Sequence, residues 1–120
     1  MISKKFKVLF GKLQTILPDE RPSLLHGDLW AGNIMTTSDG QPCLIDPAVY
    51  FGHREVDLAM TQLFGGFDAA FFESYGEVYP LLPGYEERLD LYNLYPLLVH
   101  VNLFGGGYGR QVISVLNKFV

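Results

Sequence analysis

The sequence predicts an α+β domain that is mostly α: one helix, a small β region rich in polar residues, then a helical remainder. Three observations carry that expectation. Residues 2–17 place Ile2, Phe6, Leu9, Phe10, Leu13, Ile16 and Leu17 near the spacing of one helical face. Two short apolar runs flank Ser38-Asp39-Gly40, and Asp-Gly between such runs signals a β-hairpin. From Val56 onward apolar residues recur at helical spacing, broken only at glycine and proline clusters.

Taken in order, the first helix ends at Pro18, which donates no hydrogen bond and restricts the residue before it. Asp19 to Pro22 is a loop, and Ser23-Leu24-Leu25-His26 a short buried extended run. Gly27 to Gly32 is a loop with glycine at both ends. Asn33 to Thr37 reads as a strand, Ser38-Asp39-Gly40 as its turn and Pro42 to Asp46 as the returning strand. Pro47 to Arg54 is a loop. Val56, Ala59, Met60, Leu63 and Phe64 mark a helix that Gly65-Gly66 breaks. A helix over 69–78 follows, then a connector with Pro80, Pro83 and Gly84. Residues 86–104 form one long helix, apolar on most sides and so mostly buried, kinked at Pro96. Gly105-Gly106-Gly107 stops it, and Tyr108, Val112, Val115, Leu116 and Phe119 make a closing amphipathic helix.

At 120 residues the chain suits a single domain, residues 1–120, with a modest core. With 48% hydrophobic and 18% charged residues, it is neither disordered nor fibrous. A net charge of −4 without a lysine or arginine run excludes nucleic acid and anionic membrane as general partners. Cys43 is the only cysteine, which leaves no internal disulfide and no cysteine metal cluster; its apolar run marks it as a core residue. Met1-Ile2-Ser3-Lys4-Lys5 has no signal-peptide core, and no stretch is apolar for 18 residues. A soluble, cytoplasmic protein is expected.

The polar residues are concentrated in His26-Gly27-Asp28-Leu29-Trp30-Ala31-Gly32-Asn33 and in Ile45-Asp46-Pro47. Asn33 stands 5 positions after Asp28, and Asp46 stands 13 after Asn33. Singly, Asp and Asn are ordinary loop residues. Together, an aspartate, an asparagine five on and a second aspartate beyond a hairpin form the base and metal set of kinase-type phosphoryl transfer. The hairpin brings Asn33 and Asp46, at its open ends, close together. Asp28 suits the task of holding an attacking hydroxyl and accepting its proton. Asn33 and Asp46 suit magnesium, a hard cation that takes oxygen ligands and shares them with the phosphates of ATP.

Other residues have two readings each. His26 either holds the loop, by a backbone hydrogen bond or by packing, or transfers a proton; the first is favoured. Trp30 is either core or an aromatic wall of the acceptor site. Asp57 is either a helix N-terminal carboxylate favoured by the dipole or a second layer of the site that accepts hydrogen bonds from the loop backbone; the second is favoured. His53, Arg54 and Glu55 are either a solvated charge cluster or an ion pair that fixes their loop, and a structural role is favoured. His100 is either a satisfied core histidine or a substrate contact; the core role is favoured. The run Gly105-Gly106-Gly107-Tyr108-Gly109 lacks a preceding strand and a Lys-Ser/Thr pair, so it reads as a helix stop and not as a phosphate loop.

With Arg54-Glu55-Val56-Asp57-Leu58-Ala59 added, these motifs resemble the fructosamine kinase (ketosamine kinase) family, within the aminoglycoside phosphotransferase and protein-kinase-like superfamily. His-Gly-Asp, the later Asn and Ile-Asp are shared across that superfamily. Trp30, Asp46-Pro47, Leu94-Tyr95, His100 and Phe104-Gly105 are more particular to fructosamine kinases. The likeness runs from about Leu13 to Gly109. It implies ATP- and Mg2+-dependent phosphorylation of a ketosamine sugar hydroxyl, on a small molecule or on a glycated protein lysine. By that likeness Asp28 is the base, Asn33 and Asp46 bind the metal and nucleotide, and Trp30 and His100 meet the substrate. Aminoglycoside- or choline-type kinases, and a non-catalytic binding lobe, are the alternatives. Pro47 stands where protein kinases have Phe, so a mobile switch at Asp46 is not expected.

The likeness is to the carboxy-terminal lobe alone. The glycine-rich strand loop over ATP and the strand lysine of such kinases have no counterpart here; Lys4, Lys5, Lys7 and Lys12 lie on the first helix. The chain therefore reads as a fragment that should be inactive or very slow by itself, since preorganised charge stabilisation dominates such chemistry. The surface that would meet the other lobe should be apolar and able to pair with a second copy.

Overall fold

The computed structural model describes residues 2–105 and 107–120. Gly106, the middle of the predicted helix stop, lies outside them. The chain forms two compact units, one of residues 20–85 and one of residues 2–19 with 86–120.

In the first unit, β1 (Ser23–Leu25) pairs antiparallel with β4 (Tyr50–Gly52), with Leu24 opposite Phe51. A 3-10 turn (Ala31–Asn33) leads into β2 (Ile34–Thr36), which pairs with β3 (Pro42–Leu44), Met35 opposite Cys43. The Asp-Gly turn forms as expected: Gly40 adopts φ 82°, and its amide donates to the Thr37 carbonyl at 2.9 Å. Helix α2 (Arg54–Leu63) packs on β1, and α3 (Ala69–Val78) follows with Asp68 capping the Phe71 amide. Gly65 and Gly66, at φ 72° and 94°, separate the two helices.

Two expectations fail in this unit. The stretch 47–54 holds β4, whose partner β1 lies 25 residues back in the chain. Cys43 is exposed, as are Pro42 and Leu44: β2 and β3 form a bare two-stranded ribbon, so an apolar run there does not mean burial. Leu24, Phe51, Met35 and Leu44 are exposed too.

In the second unit, α1 (Ile2–Ile16) and α5 (Leu94–Phe104) both pack on α6 (Gly107–Phe119). Leu9, Leu91, Leu94, Leu97, Val112, Val115 and Leu116 are its buried apolar residues among those described, at 8% exposure or less. The predicted long helix is two helices, α4 (Tyr85–Tyr92) and α5, divided at Asn93. Pro96 does not kink a helix; it sits in the first turn of α5, where a missing N–H leaves no bond unmade. Nor is α5 mostly buried, since Tyr95, Leu103 and Phe104 are each at least 68% exposed. Gly105 ends α5 at φ 72°, its amide donating to the Val101 carbonyl. No helix among the described residues is long and apolar enough to cross a membrane.

Candidate active site

The site is built where β1 runs out. Beyond Leu25 the chain turns at Gly27 (φ 88°), and the Ala48 amide donates to the His26 carbonyl at 2.8 Å. The two backbones come so close that a Cβ on Gly27 would sit 2.0 Å from the Ala48 carbonyl oxygen. Only glycine fits this turn, on both its dihedral and its space.

His26 is part-buried and spans the loop. Its Nδ1 accepts from the Asp28 amide at 3.1 Å, and its Nε2 donates to the Ile45 carbonyl at 2.8 Å. An amide on one side and a carbonyl on the other select the neutral tautomer with the proton on Nε2. The ring thus holds the Gly27–Asp28 loop against the residue before Asp46.

Asp57, in the first turns of α2, accepts from the His26 amide at 2.8 Å through one oxygen and from the Gly27 amide at 3.0 Å through the other. This is the hydrogen bonding expected of a second layer, and both oxygens are engaged. Charge-assisted bonds of this kind are among the stronger ones in proteins.

Asn33 is 6% exposed and meets Asp28 directly. Its Nδ2 donates to the Asp28 backbone carbonyl at 2.8 Å and to the Asp28 carboxylate at 3.0 Å. Both neighbours only accept, so the amide orientation is determined. Among the described residues, Asp28 keeps its second carboxylate oxygen for another donor, and the side-chain oxygen Oδ1 of Asn33 is left over. The Ile45 amide donates to the Asn33 backbone carbonyl at 2.9 Å, so the hairpin does bring Asn33 alongside Ile45, with Asp46 next in the chain. Asp46 is exposed and has φ 49°, the left-handed region that Asp tolerates better than most residues.

Among the described residues no group of three or more His, Cys, Asp or Glu side chains could hold a metal. One carboxylate, Asp46, and one amide oxygen, that of Asn33, are both hard oxygen donors. They fit an ion that takes its remaining ligands from phosphate and water, and they do not suit a closed, all-protein metal site.

Trp30 is 40% exposed, so it is not core. Its indole lies over Gly32, where a Cβ would be 2.2 Å from the ring, and it meets Phe64 edge-on with centroids 6.3 Å apart. The Trp30 amide donates to the Asp28 carbonyl at 3.1 Å, which ties the position of the Trp30 backbone to that of Asp28. His100 belongs to the other unit. Its Nδ1 donates to the Pro96 carbonyl at 2.8 Å, and Phe104 and Tyr108 lie against its ring, at 5.7 and 5.0 Å.

Arg54 and Glu55 are buried, so the charge cluster is not a solvated one. Arg54 pairs with Glu20, a residue the sequence did not single out. A signal was available: a cation at a helix N-terminus opposes the helix dipole and needs a carboxylate nearby. Burial alone would lower the Arg54 pKa; the hydrogen bond with Glu20, with Tyr75 adding to it, outweighs that and raises it.

Comparison with known proteins decides among kinase families. A sequence model of the fructosamine kinase family matches residues 1–120. The chain belongs to the fructosamine kinase family. A protein of Synechocystis sp. assigned as a ketoamine kinase is 50% identical over 113 residues, which are 92% of this chain and 38% of that protein. A chloroplastic protein-ribulosamine 3-kinase of Oryza sativa subsp. indica is 48% identical over 99 residues, 82% of this chain and 29% of that protein. A crystal structure from Thermobifida fusca, assigned as a fructosamine-3-kinase, superposes with TM-score 0.86 at 39% identity, over 96% of this chain and 40% of that one. The chain thus spans between about a quarter and two fifths of the length of these family members, and its mostly helical α+β fold is theirs.

Proposed function

We propose that this chain carries the base and metal half of an ATP-dependent ketosamine kinase. The observation that carries the reading is the Asn33 amide donating to the Asp28 carboxylate while its oxygen remains available beside the hairpin that bears Asp46. In the reaction, the acceptor hydroxyl oxygen forms a bond to the γ-phosphorus of ATP, the bond from that phosphorus to the β–γ bridging oxygen breaks, and ADP leaves. The hydroxyl proton passes to the oxygen of Asp28 that Asn33 does not engage. Asn33 fixes that carboxylate's orientation, and His26 and Asp57 fix the backbone on which it stands. Mg2+, held by Asn33 Oδ1 and Asp46, would neutralise phosphate charge when bound. Trp30 offers an exposed flat face for the sugar, and His100 is assigned a substrate contact by the family likeness. Ketosamines, free or on protein lysines, are the acceptors supported by the names of the relatives.

The test uses the gene product that carries this sequence, assayed with ATP, Mg2+ and a ribulosamine or fructosamine. Asp28→Asn should lower kcat by about 10²–10⁴-fold, the usual worth of a general base. Residues 1–120 assayed alone should transfer no phosphate. Full activity of Asp28→Asn, or turnover by the isolated chain, overturns the corresponding part of the reading.

A further inference from the structure

Arg54 has no part in the chemistry above, yet it is the most completely bonded side chain near the site. Its Nε donates to Glu20 at 2.8 Å, and its Nη2 donates to the other Glu20 oxygen at 3.1 Å and to the Pro80 carbonyl at 2.7 Å. Its Nη1 donates to the Tyr79 carbonyl at 2.9 Å and to the Tyr75 hydroxyl at 3.4 Å. All five N–H groups of the guanidinium are used. The plane lies on the Tyr79 ring, 3.5 Å from its centroid.

The partners' places in the chain give this arrangement meaning. Glu20 lies three residues before β1, and Arg54 lies two residues after β4. Between them the β1–β4 ribbon has only three residue pairs. Of β1, only Leu25 is buried. A ribbon this short, with one buried side chain, specifies its own register poorly. A slip of one residue would displace everything after it by about 3.3 Å, and Asp28 lies three residues beyond Leu25. The fork of Arg54 on Glu20 holds one end of the ribbon, and Asp57 on the His26 and Gly27 amides holds the other.

Resting on the proposed function for the role of Asp28, we propose that the Arg54–Glu20 fork sets the register of the β1–β4 ribbon and so positions the base. Arg54 and Glu20 are positioning residues; they touch no reacting atom. The fork acts by its two-point geometry, so charge alone does not replace it.

Two measurements test this. In the 120-residue chain, amide hydrogen exchange is read at His26 and Gly27, whose N–H groups are bonded to Asp57. Arg54→Lys and Glu20→Gln should each speed exchange there and at the β1–β4 pairs, by tenfold or more on the order expected for loss of a buried charged bond, while the amides paired between β2 and β3 keep their protection. In the gene product, both variants should lower kcat by about tenfold to a hundredfold, the effect of misplacing a catalytic group by roughly 1 Å, with KM for the ketosamine little changed. Asp90→Asn, which removes an exposed pair with Lys118, is the unchanged control. Wild-type kcat in Arg54→Lys, or a uniform loss of protection over residues 20–85, overturns the proposal. An unaffected Asp28→Asn with altered exchange in Arg54→Lys would instead remove the assignment of the base and leave the register clamp standing.

Discussion

The two units solve the problem of a small core in opposite ways. The unit of α1, α5 and α6 buries leucines and valines against one another. The unit of residues 20–85 buries Leu25, Leu29, Leu58, Ala59 and Tyr85 together with Asn33, Arg54, Glu55 and Thr61, where the helical unit buries only Arg88 and Asn93 among its described polar residues. The parts of the 20–85 unit are joined by directed bonds from Asp57, His26, Asn33 and Arg54. Apolar packing adjusts to small changes in volume, whereas a hydrogen bond weakens steeply once its distance or angle is disturbed. A site that, as proposed, holds a base and two oxygen donors at fixed offsets gains from the second kind of order. The first kind suffices for a supporting bundle.

Substitutions sharpen this contrast. The largest effect belongs to the apolar unit: Leu116, with no exposed surface, replaced by Ala should cost about 3 kcal/mol, read as faster amide exchange along α5 and α6. A loss below about 1 kcal/mol would mean that the packing there is loose and the contrast false. In the polar unit, Asp57→Asn keeps the shape and removes the charge. One amide oxygen then faces one N–H, and an NH2 group faces the other. A loss of about 2 kcal/mol is expected, with exchange faster at His26 and Gly27 than at α3; equal change at all three would show that no directed bond is involved.

The smallest effect is alkaline. Burial, aided by the charge of Glu55, raises the pKa of Tyr85 above its ordinary 10.0. The folded chain therefore holds this proton more tightly than the unfolded chain. The stability it contributes is fully present below pH 10 and is lost as pH rises towards the folded value. Urea midpoints measured at about pH 9 and about pH 11 should fall less in Tyr85→Phe than in the parent. An identical fall in both would remove Tyr85 from the account.

Much of this was legible in the sequence. Helices α1, α2, α3 and α6 follow from apolar spacing and from their glycine and proline stops, and the β2–β3 hairpin follows from Asp39-Gly40. What periodicity does not carry was missed. Strand β4 is three residues long and is defined by a partner far back in the chain. Cys43 and Leu44 look like core because composition cannot tell a covered ribbon from a bare one. Pro96 breaks a helix in mid-course but is welcome in a first turn, and the division at Asn93 decides which applies. In the site, the offsets and the hairpin anticipated that Asn33 would lie beside Asp28 and next to Ile45, the neighbour of Asp46. That Arg54 needed a carboxylate could be read from its place at a helix N-terminus, but not that Glu20 supplies it, because nothing local links residues 34 positions apart.

Gly27 and Ala48 have a consequence for anyone who would build this site elsewhere. Copying Asp28, Asn33 and Asp46 onto another hairpin would transfer the functional groups and leave the machine behind. The segment before Asp28 and the segment after Asp46 touch main chain to main chain, with no room for even a methyl group between them. A design that grafts this site must first reproduce a crossing of two backbones, and the choice of side chains comes second.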